Sequence, residues 1–305
     1  MSIDEALNLF LKDGILAGKS EATQQNYKDT INLFMRVTAS LTGIRPLEAI
    51  DKTNIQEYLM YGMTQRGWNR YTAWSVHKNL KAFFNWCVLN KHIEFNPVSQ
   101  VPKPKIPQQY PKALSEQEVI ELLQTMDKIP CNFEYTKIRN KMLIATLIFT
   151  GLRKSELLSL KFRDVDMTSN FIYIENGKGG KSREVPIELG VLRPILADYI
   201  SQRSKYYNND DWFVKGTPSS ETTLCEGKLS ERAFRRIFEA INKLLNTRIY
   251  AHKLRHTFAT LLLEKTGDIY VLQQLLGHSN IKTTCIYLST TRNKKIEAIS
   301  KFKLV

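Results

Sequence analysis

Five prolines, Pro97, Pro102, Pro104, Pro107 and Pro111, break the chain about a third of the way along. Proline fixes φ and lacks an amide hydrogen, so neither a helix interior nor a central strand runs through such a stretch. Lys103, Lys105 and Lys112 make it basic. Residues 93–112 therefore read as a semi-extended Pro/Lys-rich linker without regular structure, separating residues 1–92 from residues 113–305. A chain of 305 residues also exceeds what one core usually needs, which agrees with two domains.

The two sides differ in pattern. Residues 1–92 read as a bundle of four helices: one at 3–12, one capped by Ser20 and carrying Tyr27, Ile31, Phe34 and Val37, one from Thr53 to about Gly67, and one from Arg70 to about Asn90. Beyond the linker, SEQE at Ser115–Glu118 is a capping box that opens a helix. A long buried helix ends at Gly151, SELLSL forms a short one, and FIYI (171–174) and SREVPI (182–187) flank a glycine-rich turn as a β-hairpin. Helices are expected near 189–206, 230–246, 252–265, 268–276 and 291–300, and WFV at 212–214 reads as a further short strand. The fold class is thus mainly α in two domains, an N-terminal helical bundle and a mixed α/β, mostly helical second domain with a small antiparallel sheet.

The net charge of +14 favours a polyanionic partner, because clustered Lys and Arg release counterions from nucleic acid. Residues 1–92 carry only +3, from 11 Lys and Arg against 8 Asp and Glu. The excess therefore lies in the linker and the second domain. Cys87, Cys131, Cys225 and Cys285 show no CxxC and no histidine at ligand spacing, which argues against a disulfide framework or a zinc site. No signal peptide is visible, and MLIATLIF at 142–149 is too short to span a bilayer. The expectation is a cytoplasmic, nucleoid-associated protein with no membrane partner.

Groups suited to a phosphodiester gather late in the chain. Arg153, in TGLRKSEL directly after a buried helix, presents a planar fork to two phosphate oxygens, with Glu156 one helical step on to orient it. Read alone, the same residue is a solvated helix-junction arginine. Lys178 lies at the tip of the hairpin in NGKGGKSR, where glycines let a lysine lean into a groove, and Lys181 suits a plain turn lysine better. In HKLRH, spacings of three and four put His252, Arg255 and His256 on one helix face. This is not HExxH: the glutamate base is missing and no carboxylate completes a zinc site, so His256 reads as a satisfied core histidine. His278, in LLGHSN, falls on a turn that exposes its imidazole, and Tyr287 follows nine residues later. A phenol with pKa near 10 attacks well only beside strong positive charge.

With these residues in this order the chain resembles the tyrosine recombinases (phage-integrase family), and is most like the Xer-type members in size and layout. The resemblance assigns the catalytic set to Arg153, Lys178, His252, Arg255, His278 and Tyr287, and covers nearly the whole chain, most specifically residues 149–290. Ala251, where proline often precedes the histidine, and Cys285, where a polar residue is common, depart from the pattern without removing a catalytic group. The resemblance implies a core-binding domain in residues 1–92 and a site-specific recombinase. Its Tyr287 forms a 3′-phosphotyrosyl bond, Arg153 and Arg255 carry the phosphate charge, and His278 donates to the phosphate. Lys178 is then the acid for the leaving 5′-oxygen, and His252 is placed for proton transfer. Neither metal nor nucleotide cofactor is implied.

The partners implied are double-stranded DNA and further copies of the chain, or of a related recombinase, in a tetramer. The linker lets the domains close around the duplex. Lys181, Arg183, Arg235 and Arg236 are candidate phosphate contacts, and Gln24, Gln25 and Arg70 candidate base readers. The tail, residues 290–305, bears Ile296, Ile299 and Phe302 as a stripe for docking on a neighbouring subunit. The rival readings are a non-catalytic accessory DNA-binding factor on a recombinase scaffold, and a topoisomerase or resolvase that shares the tyrosine chemistry.

Overall fold

Helix caps and apolar spacing build most of the elements in this computed structural model, which describes residues 1–106, 112–175, 182–207, 212–217, 227–288 and 299–300. The chain divides into two compact units, Met1–Gln108 and Gln109–Val305. In the first, α1 (Ile3–Leu16) opens with a capping box at Ser2 and Glu5, and α2 (Glu21–Thr42) is capped by Ser20. Helices α3 (Lys52–Thr64) and α4 (Arg70–Leu89) are capped by Asp51 and Asn69. Their buried faces meet in a core of Phe10, Ile31, Phe34, Tyr58, Leu80, Phe83 and Phe84.

The proline stretch is more ordered at its start than its composition suggests. Pro97–Gln100 forms a 3₁₀ turn, and Val98 and Val101 are buried in the first unit's core. Pro97 takes the first helical position, where a missing amide hydrogen costs nothing, and the Asn96 side chain accepts from the Val98 amide at 2.8 Å.

In the second unit, α5 (Glu116–Met126) starts at the Ser115–Glu118 capping box. The buried α6 (Glu134–Thr150) stops at Gly151 in the left-handed region, and α7 (Lys154–Ser159) follows at once. The hairpin is β2 (Phe171–Ile174) against β3 (Arg183–Pro186), with Ile172 opposite Val185. An unexpected strand, β1 (Val165–Asp166), adds antiparallel to β2, too short for any periodicity to reveal. WFV at 212–214 is not a strand: Trp212 makes an isolated bridge to Lys161. Then come α8 (Leu192–Arg203), α9 (Glu231–Leu245), α10 (Ala251–Thr266), α11 (Ile269–Leu276), α12 (Ile281–Thr284) and a 3₁₀ turn, Cys285–Tyr287. Lys178, Lys181 and nearly all of the tail lie outside the described residues. Among the described residues no helix is long and apolar enough to cross a membrane.

Candidate active site

Two helix ends organise the site. Gly151 and Gly277 close α6 and α11 in the left-handed region, each at φ 63°. Any side chain would be strained there, and a Cβ at Gly151 would also collide with the Phe258 ring. The last carbonyls of a helix lack intrahelical donors and sit at the negative end of its dipole, so they suit a guanidinium. Arg255, on α10 and 2% exposed, takes both ends at once. It donates to Gly151 O at 2.6 Å and to Leu276 O at 2.7 Å. Burial pulls its pKa down to about 10, with Arg153 pushing the same way, and it remains a cation at neutral pH.

Arg153 caps α7 and shares a carboxylate. Its amide donates to Glu156 Oε2 at 2.8 Å, its Nη1 to Glu156 Oε1 at 2.6 Å, and its Nη2 reaches Gly277 O at 3.5 Å. Arg183 of β3 grips the same carboxylate with both Nη atoms, at 3.0 and 2.8 Å, and donates Nε–H to Leu275 O. Burial of Glu156 opposes its ionisation, but the hydrogen bonds from Arg183 and Arg153 outweigh it and hold the carboxyl at about 2. Arg183 was expected to face a phosphate. Instead its side chain is 9% exposed and braces Glu156, and through it Arg153.

The imidazoles are neutral for stated reasons. His278 Nε2 lies 3.1 Å from Arg255 Nη2, and an arginine only donates, so this nitrogen accepts. The hydrogen then sits on Nδ1, facing Thr284 Oγ1 at 3.0 Å. Burial, then Arg255, lower the pKa of His278 to about 4. The turn does not expose it as expected: the ring is half-buried. His252 opens α10, is exposed, and has its pKa lowered by burial of its ring and by Arg255. The ring of His256, one turn on, lies edge-on to that of His252 with centroids 4.3 Å apart.

Tyr287 is 1% exposed, among Ala259, Leu263, Leu272 and Leu276. Burial raises its pKa while Arg255 draws it back, so the phenol keeps its proton. Its hydroxyl lies 2.8 Å from Nδ1 of His256. The side chain read as a core histidine is therefore the one on the phenol oxygen. The HxxxH spacing alone had no way to show which of its two rings faces a residue 31 positions away.

The structure thus brings Arg153, Arg255, His278, His252 and Tyr287 into one cluster with Glu156, Arg183 and His256. The remaining expected contacts lie elsewhere. Gln24 turns inward over Gly14 with its amide buried, and Gln25 is bonded to Asp29 at 2.7 Å. Arg70 is exposed at the start of α4, and Arg235 and Arg236 are exposed on α9, the former 3.6 Å from Glu239. Among the described residues no group of three or more His, Cys, Asp or Glu is placed to hold a metal ion.

Known proteins resemble this chain along most of its length. The phage integrase family matches residues 112–294, and the phage integrase N-terminal SAM-like domain matches residues 7–94. Tyrosine recombinase XerA of Pyrococcus furiosus is 31% identical over 290 residues, covering 95% of this chain and 91% of that protein. Tyrosine recombinase XerC of Escherichia coli is 28% identical over 274 residues, 88% and 85% of the two chains. The fold is similar to that of the XerH site-specific recombinase in a post-cleavage complex with its palindromic difH substrate. The TM-score is 0.73 at 24% identity, covering 93% of this chain and 81% of that one. The chain belongs to the phage integrase family, the tyrosine recombinases.

Proposed function

We propose that this chain is a site-specific DNA recombinase that cleaves and rejoins strands through Tyr287, by way of a 3′-phosphotyrosyl bond, as a tetramer on paired sites. The observation that carries the reading is a buried tyrosine within electrostatic reach of a buried arginine that, among the described residues, has no carboxylate bonded to it. Three of the five N–H donors of Arg255 go to two carbonyls and an imidazole, which leaves two for phosphate oxygens. Arg153, its charge shared with Glu156, supplies the second fork, and electrostatic stabilisation of this type is usually the largest catalytic contribution. His278 donates to the phosphate after the incoming anion displaces Arg255 from Nε2 and the ring hydrogen moves from Nδ1 to Nε2. Lys178 protonates the leaving 5′-oxygen, and His252 is the exposed imidazole next to the reacting groups. No step in this reading calls for a metal or a nucleotide.

Relatives and structural neighbours support the DNA partner. XerH is bound to difH DNA and a lambda integrase dimer, at TM-score 0.69 and 19% identity, to a COC′ core site. Lys181, Arg235 and Arg236 position the duplex through its phosphates, and Arg70 faces the DNA from the first unit. The tail docks on a neighbouring subunit.

The test is a nicked duplex site, on which attack is trapped as an adduct that resists SDS. Wild type should form it, and Tyr287→Phe should form none while binding the site with nearly unchanged affinity, since affinity comes from many phosphate contacts. Site binding by wild type without any adduct would favour the accessory-factor reading.

A further inference from the structure

Among the three imidazoles of the cluster, the one bonded to the nucleophile is not in the set that the motifs assign. The His256 ring centroid lies 5.5 Å from that of Tyr287 and its Nδ1 lies 2.8 Å from the phenol oxygen. Resting on the recombinase reading of Tyr287, we propose that His256 is a catalytic residue: it holds the Tyr287 hydroxyl before attack and takes its proton as the bond to phosphorus forms.

The geometry supports both halves. The buried phenol is protonated, so it donates and Nδ1 accepts, which puts the ring hydrogen of His256 on Nε2. A neutral imidazole with its lone pair on the attacking hydroxyl is the geometry a general base requires. The other two rings are differently engaged. The Nε2 lone pair of His278 is taken by Arg255 and its Nδ1 hydrogen faces Thr284. The ring of His252 packs against that of His256.

The step balances. The Tyr287 Oη–P bond forms and the P–O5′ bond breaks. The phenol proton passes to His256 Nδ1, and the departing 5′-oxygen takes a proton from the acid, assigned above to Lys178. Rejoining runs the same transfers backwards.

The surroundings of His256 also keep the transfer from occurring early. Burial, and then His252, Arg255 and His278, hold its pKa at about 4, while Tyr287 on the 3₁₀ turn is pushed up, so without DNA the proton stays on oxygen. A phosphodiester entering between Arg153 and Arg255 brings negative charge beside the ring and raises its basicity, just as bonding to phosphorus acidifies the phenol. The nucleophile is thus armed by its own substrate.

Rates of adduct formation on the nicked duplex, under single-turnover conditions, test this. His256→Ala should bind the site as wild type does and form adduct roughly 100-fold more slowly. His256→Asn should also be slow, because its Oδ1 accepts the hydrogen bond but does not carry the proton away. Replacing Tyr287 by a fluorinated tyrosine, whose phenol is more acidic, should restore about tenfold in His256→Ala and change wild type little. Adduct at the wild-type rate in both variants would overturn the proposal and leave the recombinase reading standing. So would a slow variant that fluorination does not help, since that marks a packing role. If His256→Ala loses site binding, His256→Asn carries the measurement, and loss of binding in both would make His256 a folding residue. Absence of adduct from wild type would remove the recombinase reading and this proposal together.

Discussion

In the first unit the core is aromatic: Phe34 meets Tyr58 edge to face at 5.2 Å, and Phe10 meets Phe83 at 5.6 Å. In the second unit the largest fully buried side chains include two arginines, Arg203 and Arg255. Both donate to backbone carbonyls, but to different ends. Arg203 donates to Trp212 O at 3.0 Å and Phe213 O at 3.2 Å and stacks over Phe162, which fixes a loop. Arg255 fixes two helix ends and also meets the imidazole of His278. Apolar burial gains free energy from being dry, whereas a buried cation costs free energy unless every neighbour is arranged for it. The core of the first unit is dry apolar packing, whereas the second unit gives up some stability to keep positive charge buried.

The sharpest contrast comes from one deletion in each unit. Glu156→Ala leaves Arg153 and Arg183 without their shared carboxylate, and we expect about 3–5 kcal/mol of destabilisation together with a slow adduct step. Phe34→Ala should cost a similar 3–5 kcal/mol by opening a cavity, yet leave the adduct rate of the folded, DNA-bound protein unchanged. Chemical denaturation beside single-turnover rates checks both. Equal loss of chemistry in the two variants would break the distinction between the units.

A smaller effect is expected from Arg255→Lys. An ammonium does not span two helix-end carbonyls and a phosphate with one planar fork. The adduct rate should fall roughly 100- to 1000-fold with site binding largely kept. A lysine variant of near wild-type rate would show that charge suffices without geometry.

Acid should weaken the second unit first. His256 and His278 are held near 4, below the usual 6.5, so folding favours their neutral forms. The stability this contributes is complete above pH 6.5 and is lost as pH falls towards 4, on the order of 2 kcal/mol per half-buried ring after screening. Glu156, held at about 2, adds a further loss only below about pH 4.5. Unfolding midpoints between pH 7 and 4 should therefore slope downward in wild type, and less steeply in His256→Asn. Identical slopes would remove His256 from that account.

The sequence by itself determined what depends on near neighbours. Ser20, Ser115 and Glu118 mark helix starts because a cap reaches three residues, and Gly151 marks a helix end because its φ excludes other side chains. The same reasoning placed Arg153 beside Glu156 and put His252 and Arg255 on one face. Gln24 shows the limit: it stands among polar residues at a helix start, yet its amide is buried over Gly14, since a neighbouring helix and not the local pattern decides which face turns inward. Arg183 looked like a phosphate contact, and its side chain instead forms the second clasp on a carboxylate 27 residues earlier. Only the tertiary structure decided that His256, one turn beyond His252, receives the Tyr287 hydroxyl. Two imidazoles at i and i+4 are equivalent along a helix, and the packing of the Cys285–Tyr287 turn against α10 is what tells them apart.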